Sequence, residues 1–467
     1  MGPQEDHRHL EDSDRRFLWH PFTQMKEWEQ EAPVIIAGGR DCFIRDIRGK
    51  WYLDGVSSLW VNIFGHRREE IDEAIRTQVE RISHSTMLGL SNVPAIRLAE
   101  KLIPLANSGY GEAEAAGGAD QDRTLSRVFY SDNGSTAVEV ALKMAFQYWQ
   151  HLGEQNRTAF LSLHNAYHGD TLGAVSVGGI DIFHKAFGPL LFRTFKAPAP
   201  YCYRCELKKE YPACGLSCAE QMGEILRAHH REIAAVIIEP LVQAAGGMIV
   251  SPPGYLRRVR ELCRGFNVLC IADEVATGFG RTGRMFACQH EDAKPDIMCL
   301  SKGITGGYMP LAATLATEEI YRAFLGEFRD LKTFFHGHSY TGNPLACAAA
   351  LACLEIFEKE DTIGGLGPKI ALLEDWLREM ADLPHVGNVR NKGLMAGLEL
   401  VMDKTTKEAY PWEEKMGWKV AIEARDNGVI IRPLGNVIVI MPPLSISIDN
   451  LRQMLRVLRR AVISAVS

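Results

Sequence analysis

Short apolar runs recur through the middle of the chain: "RVFYS" (127–131), "AFLSL" (159–163), "IAAVIIE" (233–239), "NVLCIA" (267–272) and "DIMCLS" (296–301). Each is bounded by turn or polar residues, and stretches of helical periodicity lie between them. That alternation predicts the central strands of a large, mostly parallel α/β sheet. Before about residue 75 and after about residue 345 the rhythm is lost. The two ends are therefore expected to build a second, smaller and discontinuous α+β domain, from 1–75 and 345–467, around a large domain at 76–344. The run "LACAAALACL" (345–354), closed by Pro344 and Glu355, is too short to cross a bilayer and predicts a buried helix. "NSGYGEAEAAGGADQDRT" (107–124) offers little to bury and predicts a surface loop.

Composition narrows the partners. With 467 residues, 46% hydrophobic, 24% charged and a net charge of -6, the chain has no basic excess for a phosphodiester backbone, so nucleic acid is not an expected partner. The first residues are charged rather than apolar, and Asp6 stands where a myristoylation signal needs Ser or Thr; no export signal or membrane anchor is expected. Eleven cysteines, an odd number, predict free thiols in a reducing cytoplasm. Four of them, Cys202, Cys205, Cys214 and Cys218, follow a C-x2-C-x8-C-x3-C spacing. This leaves two readings open, a loop with free thiols or a small zinc site of a metal-binding interaction module.

Ligands of open parallel sheets bind beyond the carboxyl ends of the strands, so the residues just after each run carry the candidate chemistry. After the first run comes "DNGSTAVEVALKMAFQYW", a turn opening an amphipathic helix; the amides of Gly134, Ser135 and Thr136 could seat an anion, or simply begin a capped helix. After the second come Tyr167 and His168, either a stacking aromatic with its neighbour or ordinary packing. The fourth ends at Asp273, an acid that either caps the next segment or meets a cation. The fifth ends at Lys302, about one crossover unit (~30 residues) further on, so both side chains are expected at one sheet edge. A lysine at the end of a buried strand is poorly hydrated, which lowers its pKa and makes the neutral amine accessible for Schiff-base chemistry; a surface lysine would instead snorkel to water. Together, anion seat, aromatic, acid and amine are what pyridoxal phosphate requires of a protein. "GFGRTG" (Gly278, Gly280, Gly283) imitates a dinucleotide-binding turn, but five residues separate it from its strand and no helix pattern succeeds it.

The chain resembles the class III (ornithine-type) aminotransferases of the pyridoxal-phosphate fold type I, through "DGVSSLW", "NGSTAVEVALKMA", "YHGDT", "IADEVATGFGRTG", "SKGITGG" and "HSYTGNPLACAAALA". Within that class "LWHPFTQM", "AAVIIEPLVQAAGGM" and "IRPLGNVIVIMPPL" resemble the biotin-pathway members. The resemblance implies a transaminase that forms 7,8-diaminononanoate from 8-amino-7-oxononanoate. It implies Lys302 as the cofactor-bearing lysine, Asp273 as partner of the ring nitrogen, Gly134 and Ser135 as the phosphate turn, and Tyr167 as the stacked aromatic and a catalytic and substrate contact. Gly337 is implied as a substrate contact, and His338 and Ser339 as groups reaching the cofactor phosphate of the neighbouring subunit, hence an obligate homodimer. Arg432 is implied as the receptor of the keto-acid carboxylate. Ala244 stands where glutamate-using relatives carry a glutamate that masks this arginine.

Three positions depart from the usual biotin-pathway pattern: Phe22 for tyrosine, Leu59 for the first of two tryptophans, and Ser339 for threonine, while Trp60 keeps the second tryptophan. Phe22, Leu59 and Trp60 are implied as the substrate wall, so the amino donor turns on them. S-adenosylmethionine is the expected donor, supported by Trp60, whose face can contact a sulfonium or adenine. Lysine is the rival, because "SSLW" with "HPFTQM" resembles the Bacillus-type branch that uses it.

Overall fold

The computed structural model describes residues 7–111 and 123–467; Asp6 and residues 112–122 of the expected 107–124 loop lie outside them. Among the described residues the central sheet has seven strands: β1 (Leu125–Ser131), β2 (Ala159–Leu163), β3 (Thr194–Ala197), β4 (Ile233–Ile238), β5 (Leu269–Asp273), β6 (Ile297–Leu300) and β7 (Ala312–Thr317). Their spatial order is β1-β7-β6-β5-β4-β2-β3. Only β7 runs against the others, antiparallel to both β6 and β1. Five strands coincide with the apolar runs; for the four interior ones the reason is that a strand covered on both faces must be apolar at every position, whereas β1 lies at the sheet edge and is only partly buried. The pattern did not predict β3 or β7. The first is a half-buried edge strand of four residues, "TFKA". The second, "AATLAT", is fully buried but built from small residues that give no strong apolar run.

Between β1 and β2 lies helix α1 (Gly134–His151), which packs Ala137, Val138, Ala141 and Ala145 against Ala234, Ile237, Ile271 and Cys299 of the sheet. Small side chains on the helix let it lie close to the strands. Its first turn is fixed by Asn133, whose side chain accepts from Thr136 N at 3.1 Å, while the Thr136 hydroxyl accepts from Asn133 N at 3.0 Å. That reciprocal cap points the helix start at the strand ends.

The chain ends meet in space. Strands Ile36–Arg40, Phe43–Asp46 and Trp51–Asp54 form a sheet that is completed by Val429–Ile430, with Val429 in register with Leu53. A second sheet pairs Met395–Asp403 with Val386–Lys392 and with Val437–Ile440. The run 345–354 lies within helix α2 (Pro344–Lys359), whose Ala346, Cys347, Ala350 and Cys353 are buried. One apolar core joins Leu300 and Leu315 of the central sheet, α2, and Leu398 and Ile440 of the C-terminal sheet. Among the described residues no helix is long and apolar enough to cross a membrane.

Beneath β5 and β6 a buried ion pair ties the helix Tyr255–Gly265 to the sheet. Arg260 donates Nη1 to Asp296 Oδ2 at 2.7 Å and Nη2 to Oδ1 at 2.8 Å. Asp296 Oδ2 also accepts from Cys270 N at 2.7 Å. Asp296→Ala strands the guanidinium without its partner and is expected to lower stability by about 3–5 kcal/mol, read as a fall in the urea midpoint. A loss below about 1 kcal/mol would mean that the pair does not fix this edge of the sheet.

Candidate functional site

Parallel register brings three ionisable residues to one edge. Ile238 of β4 is paired with Ala272 of β5, and Asp273 with Cys299 of β6. Glu239, Asp273 and Lys302 therefore leave three adjacent strands side by side. Strand β6 stops at Leu300, before the expected end, and Lys302 instead opens a one-turn 3-10 helix, Lys302–Thr305, with φ of 46°. A non-glycine residue in that region is uncommon and signals a locally imposed conformation. Burial pulls the Lys302 amine below the ordinary lysine range, with Asp273 and Glu239 acting in the opposite sense. Its Nζ lies 5.0 Å from the centre of the Trp60 ring.

Asp273 is 4% exposed and fully engaged. One oxygen accepts from Val275 N at 3.1 Å. The other accepts from His168 Nδ1 at 2.7 Å, and Nε2 of this buried histidine has no partner among the described residues. The anion seat forms beside them. A helix start leaves its first amides without intrahelical acceptors, but the Thr136 amide, expected to face an anion, is taken by Asn133. Gly134 and Ser135 remain, and both line the cleft. Ser135 Oγ also accepts from Asp170 N at 3.1 Å. Gly169 makes this approach possible: its φ is +122°, and a Cβ there would stand 2.1 Å from Ser135 Oγ. The Tyr167 hydroxyl donates to Asp170 Oδ2 at 2.7 Å, and burial and that carboxylate push the phenol well above its usual pKa. The cleft, about 180 Å³, is lined by Trp60, Ser135, Tyr167, Asp273, Lys302 and Ala244 among others.

Trp60 is presented by an unusual turn. Ser57, Ser58, Leu59 and Trp60 all have positive φ, from 48° to 70°, held by Ser58 N and Oγ on the Asp54 carboxylate at 2.8 and 2.7 Å. From the other side buried Arg281, the arginine of "GFGRTG", donates to the carbonyls of Asn62 at 2.8 Å and Pro442 at 2.7 Å. That glycine-rich turn thus carries a structural clamp and opens no helix; a 3-10 turn, Ala287–His290, comes next. Leu59 and Phe22 are exposed, 51% and 57%. Phe22 packs edge-on against Phe183 at 5.3 Å, and Phe183 stands 6.3 Å from Tyr167. Arg432 donates to Phe22 O at 3.3 Å and lies 5.8 Å from the Trp418 ring. Burial alone weakens its hold on the proton, with no carboxylate offsetting it among the described residues.

Of the residues singled out from sequence, Trp60, Gly134, Ser135, Tyr167, Asp273 and Lys302 line one cleft. Phe22, Leu59 and Arg432 do not line it, although aromatic contacts connect Phe22 to Tyr167. Gly337 and Ser339 are exposed and outside it. His338 pairs with Asp132 of the same chain, Nδ1 to Oδ2 at 2.6 Å, just before the seat. Sequence reasoning missed Glu239, although the strand-end rule that selected Asp273 selects it equally, and gave His168 no role. The four clustered cysteines are free. They line a common enclosure of about 20 Å³ with Tyr211 and Pro252, and burial pushes the Cys218 thiol up to about 11. Among the described residues no group of three or more His, Cys, Asp or Glu is arranged to hold a metal ion.

The lining fits pyridoxal phosphate by its chemistry: a helix start for the phosphate, a buried carboxylate hydrogen-bonded to a histidine for the ring nitrogen, a poorly hydrated amine for the aldehyde, and an aromatic face. Residues 24–462 match the family Aminotransferase class-III. The chain is 56% identical over 450 residues to the adenosylmethionine-8-amino-7-oxononanoate aminotransferase of Geobacter sulfurreducens, covering 96% of each protein. The crystal structure of the enzyme of that name from Methanocaldococcus jannaschii superposes with a TM-score of 0.91 at 46% identity, covering 98% of this chain and 99% of the other. An amine transaminase from an uncultivated Pseudomonas species, solved with pyridoxal phosphate bound, superposes with a TM-score of 0.88 at 39% identity, covering 96% and 99%.

Gly169→Ala forces a Cβ into Ser135 and is expected to weaken binding of pyridoxal phosphate to the cofactor-free protein about tenfold or more. A fluorescence titration measures it, and unchanged affinity would remove Ser135 from the seat.

Proposed function

The chain belongs to the class-III aminotransferases, and from that membership we propose that it transfers an amino group to 8-amino-7-oxononanoate, giving 7,8-diaminononanoate in biotin synthesis, with S-adenosylmethionine as donor. The observation that carries the substrate is Arg432. It is a half-buried cation without a carboxylate, linked through the aromatic path Phe22, Phe183 and Tyr167 to the cleft of Lys302. Buried charges are kept where they meet an opposite charge, and a long-chain keto acid supplies one. Ala244 lines the cleft where a masking carboxylate would stand, so the arginine stays available.

Pyridoxal phosphate, when bound, supplies the electron sink that makes the proton beside a bound amine removable. The chain's own groups do the rest. Gly134 and Ser135, which line the cleft, would hold the phosphate by amide and hydroxyl. Asp273, which accepts from His168 Nδ1 at 2.7 Å, would hold a proton at the ring nitrogen. Tyr167 would cover the ring, and the Trp60 indole lies against the Lys302 amine. Lys302 would bear the cofactor, and its amine, free once a substrate amine is bound, would hold and move the proton at Nζ. Its burial favours the neutral amine that both tasks need.

Lysine is the second reading for the donor, favoured by one observation: Leu59 and Phe22 are exposed and offer a plain apolar wall with no hydroxyl. A cytoplasmic homodimer completes the proposal. Eleven free cysteines support the reducing compartment. Exposed Leu88, Leu90, Val93 and Phe335 support a covering partner.

Single-turnover spectra of the yellow holoenzyme mixed separately with each donor test the assignment. Conversion to the amino form of the cofactor is expected with S-adenosylmethionine; conversion by lysine alone would replace the donor and leave the transaminase reading intact. Arg432→Ala is expected to raise the KM for 8-amino-7-oxononanoate more than about tenfold, and an unchanged KM would remove this arginine from substrate binding.

A further inference from the structure

Glu239 is the deepest acidic group of the cleft for which the transfer chemistry names no task. It comes directly after β4, is 6% exposed, and stands in the next register position beside Asp273. Its two oxygens are used separately: Oε1 accepts from Tyr167 N at 3.0 Å and Oε2 from Ala244 N at 2.9 Å. One carboxyl thus bridges the segment that carries the cofactor-covering aromatic and the segment that carries the alanine of the substrate side. Neither amide belongs to a helix or to the central sheet, so a buried carboxyl is what satisfies both.

The same group sits in a cluster of titratable side chains. Asp273 faces it from β5, His168 and the Tyr167 phenol from the turn after β2, and Lys302 from the segment after β6; Arg281 faces Lys302 in turn. Burial, with Asp273 adding to it, pushes the Glu239 carboxyl up to about 7, and the His168 contact and the two amides oppose the rise. Its negative charge acts on Lys302 in the direction that favours the protonated nitrogen.

We propose that Glu239 is a positioning residue of the transaminase site, which fixes Tyr167 and Ala244 through its two oxygens and sets, by its own charge, the proton affinity of the nitrogen at Lys302. The proposal rests on the reading of Lys302 as the cofactor-bearing lysine. Glu239 transfers no proton to substrate. It determines how much of the Lys302 nitrogen is protonated at a given pH, because a carboxylate at the end of a nearby strand in the same buried cleft stabilises a cation there.

The test uses the holoenzyme and two variants of opposite kind. Glu239→Gln keeps the shape and removes the charge. Glu239→Asp keeps the charge and withdraws it from the two amides. The absorbance of bound pyridoxal phosphate, titrated with pH, reads the proton on the Lys302 nitrogen without turnover. In Glu239→Gln the midpoint is expected to fall by about one pH unit or more. In Glu239→Asp the midpoint is expected to stay within about 0.3 unit, while affinity for pyridoxal phosphate drops about tenfold because Tyr167 and Ala244 are released. If both variants bind cofactor and titrate like the parent, Glu239 does not act on Lys302 and the proposal falls. If Glu239→Gln does not fold, the aspartate variant decides: parental cofactor affinity there overturns the positioning role. Borohydride reduction of the parent holoenzyme with peptide mapping separates the two levels, since a label on another lysine removes the underlying assignment, whereas a label on Lys302 leaves the Glu239 arms to be judged alone.

Discussion

A carboxyl group as deeply buried as Asp273 is tolerated only if the fold supplies it with hydrogen bonds at the same place, and much of the site results from meeting that demand. His168 supplies a ring nitrogen at 2.7 Å and Val275 an amide at 3.1 Å. To hold the histidine there, the turn after β2 must arrive at the end of β5 with its backbone fixed, which Glu239 does from β4. The anchored turn also carries Tyr167, so the aromatic face and the acid are positioned by one network. Removing any member leaves another polar group buried and unpaired, which costs more than the lost bond itself.

The surrounding fold protects this arrangement from two directions. Below, the uninterrupted apolar faces of β4, β5 and β6 exclude water and lower the effective dielectric, so charges at the strand ends act strongly on one another. Above, chain from both ends closes the cleft: the left-handed turn Ser57–Trp60 lays an indole over Lys302, and Arg281 pins that turn to the carbonyl of Pro442 near the C-terminal sheet. A buried arginine held by carbonyls is costly to desolvate, and its bonds span parts of the chain that share no sequence neighbourhood. The site therefore forms only when the central sheet and both chain ends are assembled.

How far the chain announces this differs from residue to residue. The strand that ends at Asp273 and the strand that stops two residues before Lys302 were legible because a strand covered on both faces must be apolar throughout, and the candidate groups were found because ligands of a parallel sheet bind at its carboxyl edge. Helix α1 was legible from its glycine turn and periodicity. Strand β7 was not, since alanine and threonine give no hydrophobic signal, yet it is the antiparallel member that links β1 to β6. The capping of the Thr136 amide by Asn133 was equally hidden, because a cap and an anion seat use the same residue types.

By itself the sequence determined the α/β class and the family, and it pointed to where along the chain the candidate chemistry lies, since each depends on local order: apolar runs, the residues at their carboxyl ends, and the motifs that span them. Tertiary structure decided the partners. It paired His168 with Asp273, set Glu239 against two loop amides, brought Arg281 to the carbonyls that hold Trp60, and left four closely spaced cysteines without a metal-holding arrangement among the described residues. Those relations join residues far apart in the chain, and they are fixed by strand register and by the need to give buried carboxyl groups and loop amides their hydrogen-bond partners, a condition that no local stretch of sequence contains.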